Sequence, residues 1–536
     1  MTFDHVVIGG GTAGAILAAR LSEDPDRRVL LLEAGPDYPD GAPDALRDLS
    51  VAVVGGHNWD LQAILSEDEP APTSGVQGRI ARMFQIATAA GAALAEPPSN
   101  AMPYPLGKVV GGGSAINGGL SFHARPEDYA QWAAEGNDWW TWERVQPAMA
   151  RIAAREADKP ALPLEVTPTD ELTVHQAAFI EACLAMGRPR VDLRQGTTPG
   201  VGVVPKTANN GERVSTSDLY LAGARKRRNL TIQSSCLVDR LVLERRNGAL
   251  TATAVEALLD GKRTRFAGGE IVLAAGAICS AAILMRSGIG AADALVRAGV
   301  APLHDLPGVG RNLQDHPAVS IWAVPKDGSC TAGEMVHQAM LQERSSAAGP
   351  LCDLQLFMLS AIPTERIPPL REMARSEIAV GISSVVTMPQ SRGRVELVDA
   401  NVATNPRIFL NCMREESDVR RMKDGLRAAW QLLNGDRLAG NIDRILQWTP
   451  ATVDSDRAME SLIRTTVRAT WHPVGTLRMG SEDEGAVVSQ QGRVYGCDNV
   501  TVADASVMRS IPSVPTNLTC MVIAERIAAH LRGVES

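Results

Sequence analysis

The sequence predicts an α/β nucleotide-binding unit of the Rossmann type, coupled to a second, α+β unit. Three observations predict it. The first thirty-five residues read as strand, glycine turn, helix, strand and acid. A second glycine cluster lies at 107–119, and another buried strand ending in glycine lies at Ile271–Gly276. Residues 317–465 then change character, alternating short strands with amphipathic helices.

Val6, Val7 and Ile8 form the short apolar run of a buried parallel strand. Gly9, Gly11 and Gly14 then fit G-x-G-x-x-G. The first glycine allows the tight turn, the second lets the backbone approach a pyrophosphate, and the third lets helix and strand pack closely. The helix that follows offers free N–H groups and a positive dipole end to phosphates. Val29–Leu32 is the second strand, and Glu33 closes it nineteen residues after Gly14. A carboxylate there accepts hydrogen bonds from an adenosine ribose, which disfavours NADP and leaves FAD and NAD open.

Residues 36–72, rich in Pro, Asp and Gly, read as loop, and 78–95 as an Ala-rich helix ended by Pro97 and Pro98. The 107–119 cluster holds six glycines in thirteen residues, interleaved with valine rather than serine. That suits a backbone running against a flat or anionic ligand better than a flexible linker. A helix with an acidic first turn starts at Pro126, and Trp139, Trp140 and Trp142 are packing residues. The Pro- and Thr-rich stretch 156–170 marks a domain crossing. Leu230–Leu273 is strand-rich, and Cys279–Gly290 reads as helix.

The length of 536 residues calls for more than one core. Net charge of −8 argues against nucleic-acid and acidic-membrane partners, and no apolar run is long enough to span a bilayer. The basic run Arg225–Arg228 reads as a solvated helix end. Eight scattered cysteines form neither C-x-x-C pairs nor a cluster with histidine, so no metal site is expected. With reduced thiols and no signal peptide before the first strand, the expected location is cytoplasmic.

Five motifs, in order, resemble the glucose–methanol–choline family of flavin oxidoreductases along essentially the whole chain. They are Gly9–Gly14 with Glu33-Ala34-Gly35; Gly107–Asn117; Gly276–Ser280 with Ser287–Gly290; Pro307–His316; and Trp471-His472-Pro473 with Val502–Ser506. The resemblance implies FAD rather than NAD. It implies an α/β FAD-binding (Rossmann-like) domain assembled from 1–155, 205–316 and 466–536, and an α+β substrate domain with antiparallel sheet from 156–204 and 317–465. Cofactor contacts would then fall on Gly9, Gly11, Thr12, Ala13, Gly14, Glu33 and Ala34, and on Val110, Gly112, Ser114, Asn117 and Gly118. Val238, Asp504, Ala505 and Thr516 complete the set. Some members attach FAD through a histidine; Ile116 stands at that position here, so non-covalent FAD is expected. Ala281 and Ser121 also depart from the family's usual residues and read as tolerated drift.

Flavin-dependent alcohol oxidation needs a base for the hydroxyl proton, and a histidine has a suitable pKa. His472 matches the family's active-site histidine; His123 and His316 lie near cofactor motifs in supporting positions. The family's partner position, normally Asn or His, is Pro515, which has no side-chain donor. The chain resembles pyridoxine-oxidising members in this proline, and furfuryl- and aryl-alcohol-oxidising members in Trp471, which can pack on a flat ring or merely wall the pocket. The expected activity is oxidation of a primary aromatic or heteroaromatic alcohol, with O2 or another acceptor taking the electrons. A dehydrogenase of aliphatic alcohols, a lyase or photodecarboxylase on the same scaffold, and a flavin-binding protein without turnover are the alternatives.

Overall fold

The structure is a computed structural model that describes residues 2–50, 55–67, 101–194, 198–347, 349 and 351–534. The helix expected over 78–95 lies outside the described residues.

The apolar runs read as buried strands lie side by side. Strand Thr2–Ile8 is parallel to Val29–Leu32 on one side and to Lys262–Leu273 on the other. Leu230–Gln233 extends the sheet beyond Val29–Leu32, and Val500–Val502 pairs parallel with Lys262–Leu273. Val6, Val7 and Val29–Leu32 are buried. A strand covered on both faces carries apolar residues without alternation, which is why the run is continuous. The long strands Cys236–Arg246 and Ala249–Leu259 continue the sheet antiparallel, with one face alternating to solvent.

Helix Thr12–Leu21 follows the first turn and packs on the C-terminal helix Asn517–Leu531. Arg20 and Glu525 lock the two together: Arg20 Nε donates to both carboxylate oxygens at 3.0 Å, and Tyr220 adds its hydroxyl to Oε1 at 2.8 Å. Arg20 also reaches Glu23 and Glu156, so this buried cation has a full set of acceptors.

The second sheet is antiparallel. Its order is Ile442–Ile445, Pro317–Pro325, Ile378–Val386, Leu354–Pro363, Ala339–Glu343, Gly200–Val203. Helices Glu416–Asn434 and Val174–Ala185 cover one face. Gly425 lets the first of them sit against Ser384 and Leu354 of that face. The other face turns toward the first sheet's unit: Gln355 donates to the Ser513 carbonyl at 3.2 Å, and Arg125 donates to the Gln342 side chain.

Two expectations are corrected. Residues 36–72 are not all loop: Asp44–Arg47 is a helical turn and Leu61–Ile64 is a strand. That strand is four residues long and pairs with Ala101–Tyr104 and Arg407–Phe409, distant partners that no local periodicity announces. The helix placed at Cys279–Gly290 runs instead over Gly276–Arg286, and Ile289–Gly290 is a short strand beside His304–Asp305. The first sheet takes its strands from 1–155, 205–316 and 466–536 and the second from 156–204 and 317–465, except that Arg468–Ala469 pairs with Pro317–Pro325 across that division. The small sheet joining 61–104 to 394–409 crosses it and forms the seam.

Gly14 shows how tightly the first turn is built. A Cβ there would stand 1.7 Å from the Gly9 carbonyl oxygen. Gly14→Ala should therefore destabilise the protein by about 3 kcal/mol or more, since overpacking against main chain has no side-chain escape. Urea unfolding of the purified variant checks this; a loss below about 1 kcal/mol would show that the turn can open.

Candidate active site

The site begins where two glycine turns meet. Gly111 N–H donates to the Gly10 carbonyl at 2.8 Å, and a Cβ on Gly112 would lie 2.5 Å from the Gly11 Cα. Gly9 and Gly112 both have positive φ, at 97° and 52°. Helix Thr12–Leu21 starts here, and no side chain caps its N-terminus. The N-terminus of Asn517–Leu531 converges on the same point: Thr12 Oγ1 donates to Asn517 Oδ1 at 3.0 Å, next to Thr516. Two helix N-termini and a glycine-lined channel are a cradle for a pyrophosphate.

Glu33 closes the second strand, buried. Its Oε2 accepts from Gly10 N–H and its Oε1 from Gly35 N–H, both at 2.7 Å. Burial pushes its pKa up to about 7 against the pull of those N–H groups. Val238 sits nearby in the strand that Cys236 opens by donating to the Glu33 carbonyl at 2.8 Å. Ala34 precedes Gly35, where main chain passes Lys108 closely. The glycine turns and helix starts thus offer main-chain donors of the kind a dinucleotide's phosphates need, and the Glu33 carboxylate lies beside them on the Gly10 N–H.

The other predicted polar residues use their side chains inside the protein. Ser114 donates to the Gly111 carbonyl at 2.6 Å and accepts from Thr216 N–H. Asn117 accepts from Gly119 N–H at 2.9 Å. Asp504 accepts four bonds, from Gly276 N–H and Ser280 Oγ on one oxygen and from Ser506 N–H and Oγ on the other. Its carboxylate staples the C-terminal segment to the turn after Lys262–Leu273, so any contact it makes with a cofactor comes from its main chain, as at Ala505.

The histidine end of the site lies under the second sheet. His472 follows Trp471, which takes φ of 63° and is 40% exposed beside it. Asp315 Oδ1 accepts from His472 N–H at 3.0 Å, while Tyr104 donates its hydroxyl to Oδ2. His472 Nδ1 lies 3.1 Å from His316 Nδ1 and 2.9 Å from Thr470 Oγ1. His316 Nε2 lies 2.9 Å from the Pro512 carbonyl oxygen. That oxygen can only accept, so His316 carries its proton on Nε2 and presents a bare Nδ1. His472 must then donate from Nδ1, which leaves its Nε2 unprotonated. Burial holds His316 down to about 4; burial, and then the His316 charge, hold His472 down to about 3. Both rings are neutral at working pH. Pro515 is buried just before Asn517–Leu531.

Sequence reasoning placed His316 only in a supporting position and missed Asp315, Tyr104 and Thr470. Asp315 and His316 stand inside a recognised motif; the Tyr104 and Thr470 contacts have no sequence signal. His123 is half-buried, with no partner for its buried Nδ1. Among the described residues no group of His, Cys, Asp or Glu could hold a metal, and no helix is long and apolar enough to cross a membrane.

A Rossmann-type sheet, two fused glycine turns and an acid at the end of the second strand, set under an antiparallel sheet with a histidine between, define an FAD-dependent oxidoreductase. Similarity to known proteins agrees. Residues 3–318 and 389–524 match the amino- and carboxy-terminal models of the GMC oxidoreductase family, and the chain belongs to that family. It is 31% identical to a 5-(hydroxymethyl)furfural oxidase of Methylovorus sp. (strain MP688), covering 98% of each chain. It is also 31% identical to an oxygen-dependent choline dehydrogenase of Klebsiella pneumoniae (strain 342), covering 99% of this chain and 96% of that one. The crystal structure of pyridoxine 4-oxidase from Mesorbium loti superposes with a TM-score of 0.83 at 28% identity, covering 99% of both chains.

Ile116 packs with Leu46, Val109 and Ala115 and offers no nucleophile. Acid precipitation of the holoenzyme should therefore leave all of the flavin in the supernatant as intact FAD; yellow colour in the pellet would show a covalent link elsewhere.

Proposed function

We propose that this enzyme oxidises a primary alcohol to the aldehyde, on an aromatic or heteroaromatic substrate, with His472 as the base. The single observation that carries this reading is the relay from the Pro512 carbonyl through His316 to His472. It supports a neutral imidazole whose Nδ1–H is spent inside the protein and whose Nε2 is bare. Bound FAD supplies the acceptor for the hydride that leaves the carbinol carbon. Gly9, Gly11, Thr12, Ala13 and Gly14 would hold the pyrophosphate by main-chain N–H groups, and Glu33 would receive the ribose hydroxyls.

His472 Nε2 takes the hydroxyl proton as the carbon–hydrogen bond breaks. The imidazolium that forms keeps its Nδ1–H on His316 and Thr470. The Asp315 carboxylate, on the His472 main-chain N–H, supplies negative charge one peptide away. Burial lifts the Asp315 pKa to about 6, so it is mostly ionised at neutral pH. Pro515 has no donor to share the hydroxyl, so the second polar side chain of other family members has no counterpart here. O2 or another acceptor completes the turnover.

The substrate class rests on the face of the second sheet that looks toward His472. Ala318, Ser320, Ser383, Val385, Gln355 and Phe357 share that face by register. None is acidic. A quaternary ammonium such as choline is held by a carboxylate as well as by aromatic rings, and these six residues supply no carboxylate. Trp471 and Phe357 suit a flat ring instead.

Two results test the reading. His472→Ala should slow anaerobic flavin reduction by aromatic alcohols about 10³-fold or more while FAD stays bound, because one side chain carries the proton transfer alone. Because protonation disables the base and its pKa lies near 3, His472 itself should cause no fall in wild-type kcat/KM from pH 8 down to 5; a fall near pH 6 should come from protonation of Asp315, and Asp315→Asn should remove it. Reduction of His472→Ala at the wild-type rate, or faster reduction by choline than by benzyl alcohol, would overturn the proposal.

The second test concerns Glu33. Ribose hydroxyls donating to its carboxylate favour the ionised form, so FAD binding lowers its pKa from about 7 and releases a proton. FAD should therefore bind the apoprotein more tightly as pH rises from 5.5 to 7.5, by at most tenfold per unit, and Glu33→Gln should flatten that dependence. Titration calorimetry in buffers of different ionisation enthalpy reads the released proton directly.

A further inference from the structure

Lys206 opens the short strand Lys206–Asn209 and is only 5% exposed. A lysine that deep is ordinarily paired. The protein's other deeply buried lysine, Lys159, is: its ammonium donates to the carbonyls of Ile152, Ala154 and Pro160 at 2.6–3.1 Å. Among the described residues Lys206 has no such acceptor and no acid. Glu165, opposite it in the strand register, turns its carboxylate to the N–H groups of Asn210 and Gly211. Burial alone acts on the ammonium and lowers its pKa to about 8, which leaves it charged at neutral pH.

Its neighbours place it beside the proposed substrate pocket. On one side Lys206 bridges Leu120, whose side chain would stand 3.0 Å from a Cβ on Gly118 of the second glycine cluster. On the other side Val204 N–H donates to the Gln338 carbonyl at 2.8 Å, which brings His337 alongside. The Lys206 charge reaches His337 and, after burial, helps hold that imidazole neutral, near 4. The His337 ring meets Phe357 edge-on at 5.9 Å, and its Nδ1 is buried without a partner. Phe357 lies on the sheet face that looks toward His472.

We propose that Lys206 receives a carboxylate carried by the alcohol substrate, with the His337 Nδ1 as the second polar contact. The proposal rests on the alcohol-oxidising reading above and names its substrate more closely: a ring bearing a hydroxymethyl group at one end and a carboxylate at the other. One ammonium matches one monoanion. A neutral imidazole adds a hydrogen bond without adding charge, so a dianionic phosphate would keep a surplus negative charge in a desolvated place.

The test compares 4-(hydroxymethyl)benzoate with its methyl ester as reductants of the holoenzyme under anaerobic stopped flow. The carboxylate should have an apparent Kd at least about tenfold lower than the ester. Lys206→Met should bring that ratio close to one, and Lys206→Arg should keep part of it. Benzoate should raise the melting temperature of the wild-type holoenzyme and leave that of Lys206→Met unmoved, a readout independent of turnover. If wild type reduces with both alcohols and shows no preference for the carboxylate, the Lys206 proposal falls and the alcohol-oxidising reading stands. The Lys206 proposal falls in the same way if Lys206→Met keeps the preference. If neither alcohol reduces the flavin, the underlying reading falls with it.

Discussion

The hydrogen bond from Gly111 N–H to the Gly10 carbonyl brings two glycine turns into direct main-chain contact, with Gly112 too close to the Gly11 α-carbon to carry a side chain. Most of the molecule is arranged around that contact. It joins the first strand–helix unit to residues 107–119 and lines a channel with backbone alone. It also holds the start of Thr12–Leu21 where Asn517–Leu531 can reach it. Arg20 and Glu525 then tie the two helices along their length, so the last helix of the chain is fastened to the first. A turn built from N–H groups suits an anionic ligand, because the orphan donors of a helix start have no intrahelical partner.

Desolvation sets the charge state of the groups around this channel. It raises Glu33 and Asp315 and lowers His316, His337, His472 and Lys206. The effects are offset where partners exist. Asp504 has four donors, and Asp315 has Tyr104, Thr470 and the His472 main chain. Each such bond contributes about 1 kcal/mol net, but an orphaned buried donor costs more than that. His472 has Nδ1 satisfied and Nε2 bare, whereas Lys206 has no partner among the described residues. Each leaves a polar function unspent, as does His337, whose buried Nδ1 has no partner and whose ring meets Phe357.

Residues whose roles follow from local steric rules were legible without the structure. Gly9, Gly11 and Gly14 announce a turn that needs missing side chains, and the apolar runs announce buried parallel strands. Glu33 could be placed from its spacing alone. The limits of local reasoning show at Leu61–Ile64, a four-residue strand inside a Pro- and Asp-rich stretch that forms only because Ala101–Tyr104 and Arg407–Phe409 lie beside it. They show again at Asp504, whose place in a motif says nothing about the Ser280 and Ser506 hydroxyls that consume its carboxylate.

The sequence by itself determined the α/β scaffold, the glycine turns, the acid that closes the second strand and the candidate histidine. Each of these depends on residues adjacent in the chain or at fixed spacing. Tertiary structure alone decided the state of that histidine. Its tautomer passes from the Pro512 carbonyl to His316 and on to His472, across separations of 196 and 156 residues. It alone made Lys206 a buried cation with the acid opposite it in the register turned away. Proton placement and desolvation depend on which distant groups fill the space around an atom, and no local pattern in a chain encodes that neighbourhood.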